Sequence, residues 1–164
     1  MTANRMSIGA TRRLGATLAL ATLALDQASK WWIITDVMNP PTMITVTPFF
    51  NLVLGLNTGV SFGMFGGGAD FGRWMLSGLA LTIAAALAVW LWRVHKPWLS
   101  AALGMIIGGA IGNVIDRLRV GAVVDFLDFH AAGYHWPAFN VADMGITVGA
   151  TILIIDSFFG EAEG

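Results

Sequence analysis

GGAIGNVIDRLRVGAVVDFLDFH, residues 108–130, runs on through AAGYHWPAFNVAD, residues 131–143, and these 36 positions set the architecture of the chain. A glycine-spaced apolar segment leads into Asn113, Asp116 and Arg117. A short apolar run then carries Asp125, and a second long apolar segment opens with Asn140 and Asp143. Only 12% of the 164 residues are charged, yet this window gathers a large share of them. Carboxylates beside long apolar segments cost free energy unless they are paired, hydrogen-bonded or functional. Asp125 and Asp143 are therefore read as a candidate catalytic pair at a membrane surface.

Composition supports that setting. Hydrophobic residues make up 56% of the chain, whereas a soluble domain carries about 25% charged residues. The formal net charge is −1 and there is no basic block, so nucleic acid is not an expected partner. The absence of cysteine excludes disulfides, thiolate nucleophiles and cysteine-bound zinc. Seven tryptophans against one tyrosine suit interfacial anchoring. His130 and His135 sit in a glycine-containing loop with no HExxH pattern. Ser61, in GVSFGMF, lacks a GxSxG elbow, and Gly66–Gly68 is not followed by GK[ST]. No metal or cofactor is expected.

Apolar runs of ~20 residues are long enough to span a bilayer, and they predict an all-α integral membrane protein with four transmembrane helices. The expected spans are about 14–34, 72–92, 98–115 and 140–159 of a single domain, 1–164. Residues 36–71 and 116–139 lie between them. The first run, after Arg12-Arg13, can also be read as a secretory signal peptide, but it resumes at Trp31-Trp32-Ile33-Ile34. Asn39-Pro40-Pro41 breaks any helix, and ITVTPFFNLVLGLN mixes β-branched and aromatic residues in a way that predicts short strands. Arg5, Arg12 and Arg13 precede the first span, and Arg93 and Lys96 separate the second from the third. Both segments are thereby assigned to the cytoplasm. Lys30, Arg73, Arg117 and Arg119 fall on the other side, so the bias is modest.

Gly104, Gly108 and Gly112, four apart, give the third helix one face of small residues for close helix approach. Asn113 and Arg117 read either as donors facing a ligand's carbonyls or as part of a helix terminus with a local Asp116–Arg117 ion arrangement. Asn140 suits an N-cap, and Asp143 either caps the same helix or is a carboxylate held rigidly at the membrane boundary. Asp125, in VVDF, reads as an edge-strand carboxylate or as the partner of Asp143; Asp128, at odd spacing, is expected to point elsewhere. Asn57, in NTGVSFG, marks a turn or presents its amide to a bound backbone. Asp26 and Lys30 are expected to pair at i, i+4 with Lys30 snorkelling outward, and Asp156 to be interfacial.

Two carboxylates sharing a proton divide acid and base work: one deprotonates a water that attacks an amide carbonyl, the other protonates the leaving amine. A proton-coupled transporter or a non-catalytic scaffold are the rival classes.

The pieces DQASK at 26–30, PFFNLVLGLNTGVSFGMF at 48–65, GGAIGNVIDRLRVGAVVDF at 108–126 and FNVADMGI at 139–146 are collinear. In this order they resemble the lipoprotein signal peptidase (signal peptidase II) family of bacterial inner-membrane aspartic proteases. The resemblance implies both termini in the cytoplasm, a small extracytoplasmic β-cradle with a short amphipathic helix from the 36–71 stretch, and an active site on the periplasmic side. It implies a catalytic dyad of Asp125 and Asp143, substrate-binding Asn57, Asn113, Arg117 and Asn140, and supporting Asp26, Lys30 and Asp116, with no metal. The implied substrate is a prolipoprotein whose lipobox cysteine carries diacylglycerol, cut just before that cysteine by a monomeric, globomycin-sensitive enzyme in contact with membrane lipid.

Overall fold

The computed structural model describes residues 7–59 and 68–159. Helix α1 (Ile8–Trp32) starts at Ser7, whose Oγ accepts the Ala10 N–H at 3.2 Å, and runs into a π-helical turn at Ile33–Val37. Helices α2 (Gly68–Arg93), α3 (Pro97–Val120) and α4 (Val141–Phe159) complete the bundle. Proline at the first position of α3 loses nothing, because that N–H has no partner within the helix.

Helix α3 is the central one, packed against α1, α2 and α4. A methyl group added at Gly104 would strike the Gly15 backbone, one at Gly108 the Ala19 carbonyl, and one at Gly112 the Asp26 carboxylate. The expected small-residue face is thus the seam with α1. Gly109 meets Ala142 and Ile146 of α4 on the other side. Such contacts let backbones approach where hydrophobic driving force between helices is lacking.

Three helices, α2 from Asp70, α3 and α4, are long and apolar enough to cross a membrane. The remaining expected span falls on α1, which is 25 residues long but carries Arg12, Arg13, Asp26 and Lys30. The third helix runs past the expected end near 115 as far as Val120, because Gly121 (φ 84°) supplies a left-handed cap whose N–H bonds the Arg117 carbonyl at 3.1 Å. Asp116 and Arg117 are therefore helical rather than part of a loop.

Four antiparallel strands, β1 (Ile44–Thr47), β2 (Phe50–Asn57), β3 (Val123–Ala131) and β4 (Tyr134–His135), pair in sequence order. The expected strands in 44–57 are present. The expected amphipathic helix is not among the described residues of 36–59, and 60–67 lie outside them. Ile33, Met38 and Phe126, with Val37, Ile44, Leu52 and Val141 packed around them, join the sheet to the ends of α1 and α4. At the opposite end, Asp156 accepts Lys96 Nζ at 3.0 Å and Trp98 Nε1 at 2.8 Å, tying α4 to the start of α3.

One bulge matters for the site. Leu52 pairs with Leu127 but Gly55 with Asp125, so β2 contains one residue more than β3 between those pairs. Asn51 and Asn57, six apart, would share a face of a regular strand, while Asp125 and Asp128, three apart, face opposite ways. The extra residue reverses the alternation. Asn57 Nδ2 therefore reaches Asp125 at 2.9 Å while Asn51 Nδ2 reaches Asp128 at 2.9 Å.

Candidate active site

Asp125 sits on β3 and Asp143 in the first turn of α4; the chain between them is brought back by Phe139. Phe139 pairs with β3: its N–H donates to the Leu127 carbonyl at 3.1 Å, and its own carbonyl accepts Phe126 and Leu127 N–H groups at 3.0 and 2.9 Å. That pairing delivers Asn140 beside Asp125.

Asn140 and Asp143 form a reciprocal cap. Asn140 Oδ1 accepts the Asp143 N–H at 3.0 Å, and Asp143 Oδ2 accepts the Asn140 N–H at 3.2 Å. With its oxygen so used, the Asn140 amide nitrogen points at β3, donating to Asp125 Oδ1 at 2.7 Å and the Val124 carbonyl at 3.2 Å. The other oxygen of Asp125 accepts Asn57 Nδ2, and Asp143 Oδ1 accepts Asn113 Nδ2 at 2.8 Å. Asn140 is 0% and Asp125 3% exposed, so the arrangement is rigidly enclosed on this side. Asp143 remains half-buried and lines an apolar groove of ≈ 940 Å³ with Phe126, Phe139, Val141, Met144 and Val148.

The expected supporting residues Asp26, Lys30 and Asp116 lie directly beneath this pair, joined to it through Asn113. Lys30 Nζ lies 2.9 Å from Asp26, 2.6 Å from Asp116 and 3.1 Å from Asn113 Oδ1. Lys30 does not snorkel outward: at 3% exposure it is buried, because two carboxylates and an amide from α1 and α3 surround its ammonium. Asp116 pairs with Lys30 and accepts the Val124 N–H at 3.1 Å, so the ion arrangement with Arg117 is not the one formed among the described residues. Arg117 donates to the Asn113 carbonyl at 3.5 Å, and its Nε is buried without a partner among the described residues.

Burial raises the Asp125 carboxyl above its ordinary value. The Asn57 and Asn140 hydrogen bonds pull it down in part, and the charge of Asp143 pushes it up further. Asp128 moves the other way, lowered by its bonds from Asn51 and from His135, whose Nδ1 lies 2.8 Å away.

Sequence reasoning passed over Gln27 and Asn51, and weighed His135 only as a metal ligand. Gln27 lies within DQASK, but nothing local signals that its amide spans two helices. Asn51 and His135 become partners of Asp128 only through the strand register.

A family profile described as "Signal peptidase (SPase) II" matches residues 18–159. The lipoprotein signal peptidase of Methylobacterium sp. (strain 4-46) is 43% identical over 152 residues, 92% of each chain. That of Ralstonia nicotianae is 48% identical over 141 residues, covering 85% of this chain and 80% of the relative. A bacterial membrane enzyme solved by the in meso method at 1.9 Å resolution superposes with a TM-score of 0.77 at 30% identity, covering 88% of this chain and 92% of that one.

Proposed function

The chain belongs to the signal peptidase II family of aspartic-type peptidases, and we propose that it removes signal peptides from diacylglyceryl-modified prolipoproteins by cutting just before the lipidated cysteine. It is a bacterial membrane protein, and the reading places four spans in the inner membrane, with α1 as the first, both termini cytoplasmic and residues 36–71 and 116–139 periplasmic. The whole of 1–164 acts as one monomeric unit in contact with lipid.

The observation that carries the reading is the pair of carboxylates gathered by Asn140 at the end of two apolar helices. Asp125 and Asp143 share one proton and titrate as a unit. The ionised member of the pair takes a proton from water as its oxygen adds to the scissile carbonyl. The proton on the other member stabilises the oxyanion and then passes to the departing amine as the C–N bond breaks. Asn57, Asn113, Arg117 and Asn140 line the substrate-binding side: the three asparagines hold the carboxylates through their amide nitrogens, and Arg117, whose Nε is buried without a partner among the described residues, faces substrate carbonyls. Asp26, Lys30 and Asp116 support them. A substrate held in the membrane plane by its signal helix and acyl chains brings its cleavage site to a fixed depth, the depth of the α4 N-terminus. Globomycin is expected to inhibit.

The test is substrate discrimination by the purified protein. The reading expects cleavage of the diacylglyceryl-modified precursor and none of the same precursor lacking the lipid; equal cleavage of both would contradict it.

A further inference from the structure

Resting on that reading, we propose that Gln27 and Lys30 are positioning residues which fix the placement of Asp125 relative to Asp143 from beneath the site. The geometry has a repeated logic. Asp116 Oδ2 holds the N–H of Val124, one residue before Asp125, at 3.1 Å. Asp26 Oδ1 holds the N–H of Ala142, one residue before Asp143, at 2.9 Å. Each buried carboxylate thus grips the backbone immediately ahead of one member of the pair.

Gln27 and Lys30 then lock the two grips together. The Gln27 amide nitrogen donates to Asp26 Oδ2 at 3.1 Å, to Asp116 Oδ1 at 3.0 Å and to the Gly112 carbonyl at 3.2 Å. Lys30 Nζ meets the same two carboxylates and also Asn113 Oδ1. That last contact, together with Asn140 Nδ2 at 3.3 Å from the same oxygen, fixes the amide orientation of Asn113: with its oxygen on these two donors, its nitrogen must face Asp143, to which it donates at 2.8 Å. A flipped Asn113 would set its oxygen against a carboxylate.

Charge neutralisation alone does not account for this arrangement. Asp26 by itself would satisfy Lys30 at i, i+4. The second carboxylate, the Gln27 bridge and the two backbone grips are what a device for holding β3 and α4 in fixed relation requires. Among the described residues no hydrogen bond joins Gln27 or Lys30 to Asp125 or Asp143; Gln27 acts through Asp26 and Asp116, and Lys30 through these and Asn113, its charge also being felt at Asp125.

Removal of Lys30 would leave buried carboxylates unpaired and can unfold the protein, so Gln27→Leu, close in size and neutral like the native residue, is the deciding variant. The full chain is purified in detergent and assayed against the lipidated precursor beside wild type. The expected result is a folded Gln27→Leu protein whose kcat falls about ten- to a hundred-fold with KM within about twofold, since ground-state binding of the substrate does not use this cluster. Folded Gln27→Leu with unchanged kcat, a loss appearing in KM alone, or failure to fold at all overturns the proposal; the last would mark the cluster as purely structural. Wild type that does not cut would instead defeat the functional reading on which the proposal stands.

Discussion

The Asn140 side-chain amide lies 2.7 Å from Asp125 Oδ1 while its own oxygen caps α4 by accepting the Asp143 N–H at 3.0 Å. A capping residue thereby carries one carboxylate's position to the other. The two roles are separable by substitution. Asn140→Ser retains a capping oxygen and should keep stability within about 1 kcal/mol, whereas Asn140→Ala loses roughly 1–2 kcal/mol. Both lose the amide to Asp125 and should cleave about a hundred-fold more slowly. Thermal melts beside turnover measurements check the pair; full activity in Asn140→Ser would contradict the account.

Asp125 offers a titration. Its folded value is raised by burial and by Asp143, so protonation favours the folded state and that contribution is lost as pH rises through the folded value. Carbon-13 NMR of the Asp125 carboxyl should show a midpoint above that of a free aspartate, about 3.9. In Asp143→Asn the midpoint should fall, because the like charge is gone. A midpoint unmoved by that substitution would show that the two groups do not interact.

Asp128 carries the opposite sign. Asn51 and His135 hold its folded value down, so it contributes stability above the unfolded value of about 3.9, and that stability is lost as pH falls through the folded value. Asp128→Asn should lower Tm at neutral pH and flatten the loss of Tm below about pH 4. Parallel Tm curves for the two proteins across that range would remove Asp128 from the acid response.

The glycine seam predicts a contrast within single helices. A methyl group at Gly108 would meet the Ala19 carbonyl, whereas one at Gly78 meets nothing within 4 Å. Gly108→Ala should destabilise by about 1–3 kcal/mol through overpacking. Gly78→Ala should be neutral or stabilise by up to about 1 kcal/mol through helix propensity. Differential scanning fluorimetry in detergent reads both, and equal melts would refute the close approach of α1 to α3.

Much of this was legible in the sequence because bilayer length, small-residue spacing and capping are local properties. The spacing of Gly104, Gly108 and Gly112 correctly marked a helix seam, and Asn140 with Asp143 correctly marked a helix start. Local signals failed where the deciding contact is long-range. The i, i+4 spacing of Asp26 and Lys30 gave their pairing but could not show Asp116 and Asn113 arriving from α3, so Lys30 was expected at the surface. Charge at Asp116 read as a helix end, although Gly121 four residues after Arg117 was the stronger stop. The bulge that sends Asn51 and Asn57 to different aspartates has no signature in β2 beyond Gly55.

The most direct test of the central claim is mass spectrometry of a diacylglyceryl-modified prolipoprotein incubated with purified wild type, Asp125→Asn and Asp143→Asn. The account predicts a single cut immediately before the lipidated cysteine by wild type, and no product from either folded variant. The same cut made at comparable rate by either variant would contradict it.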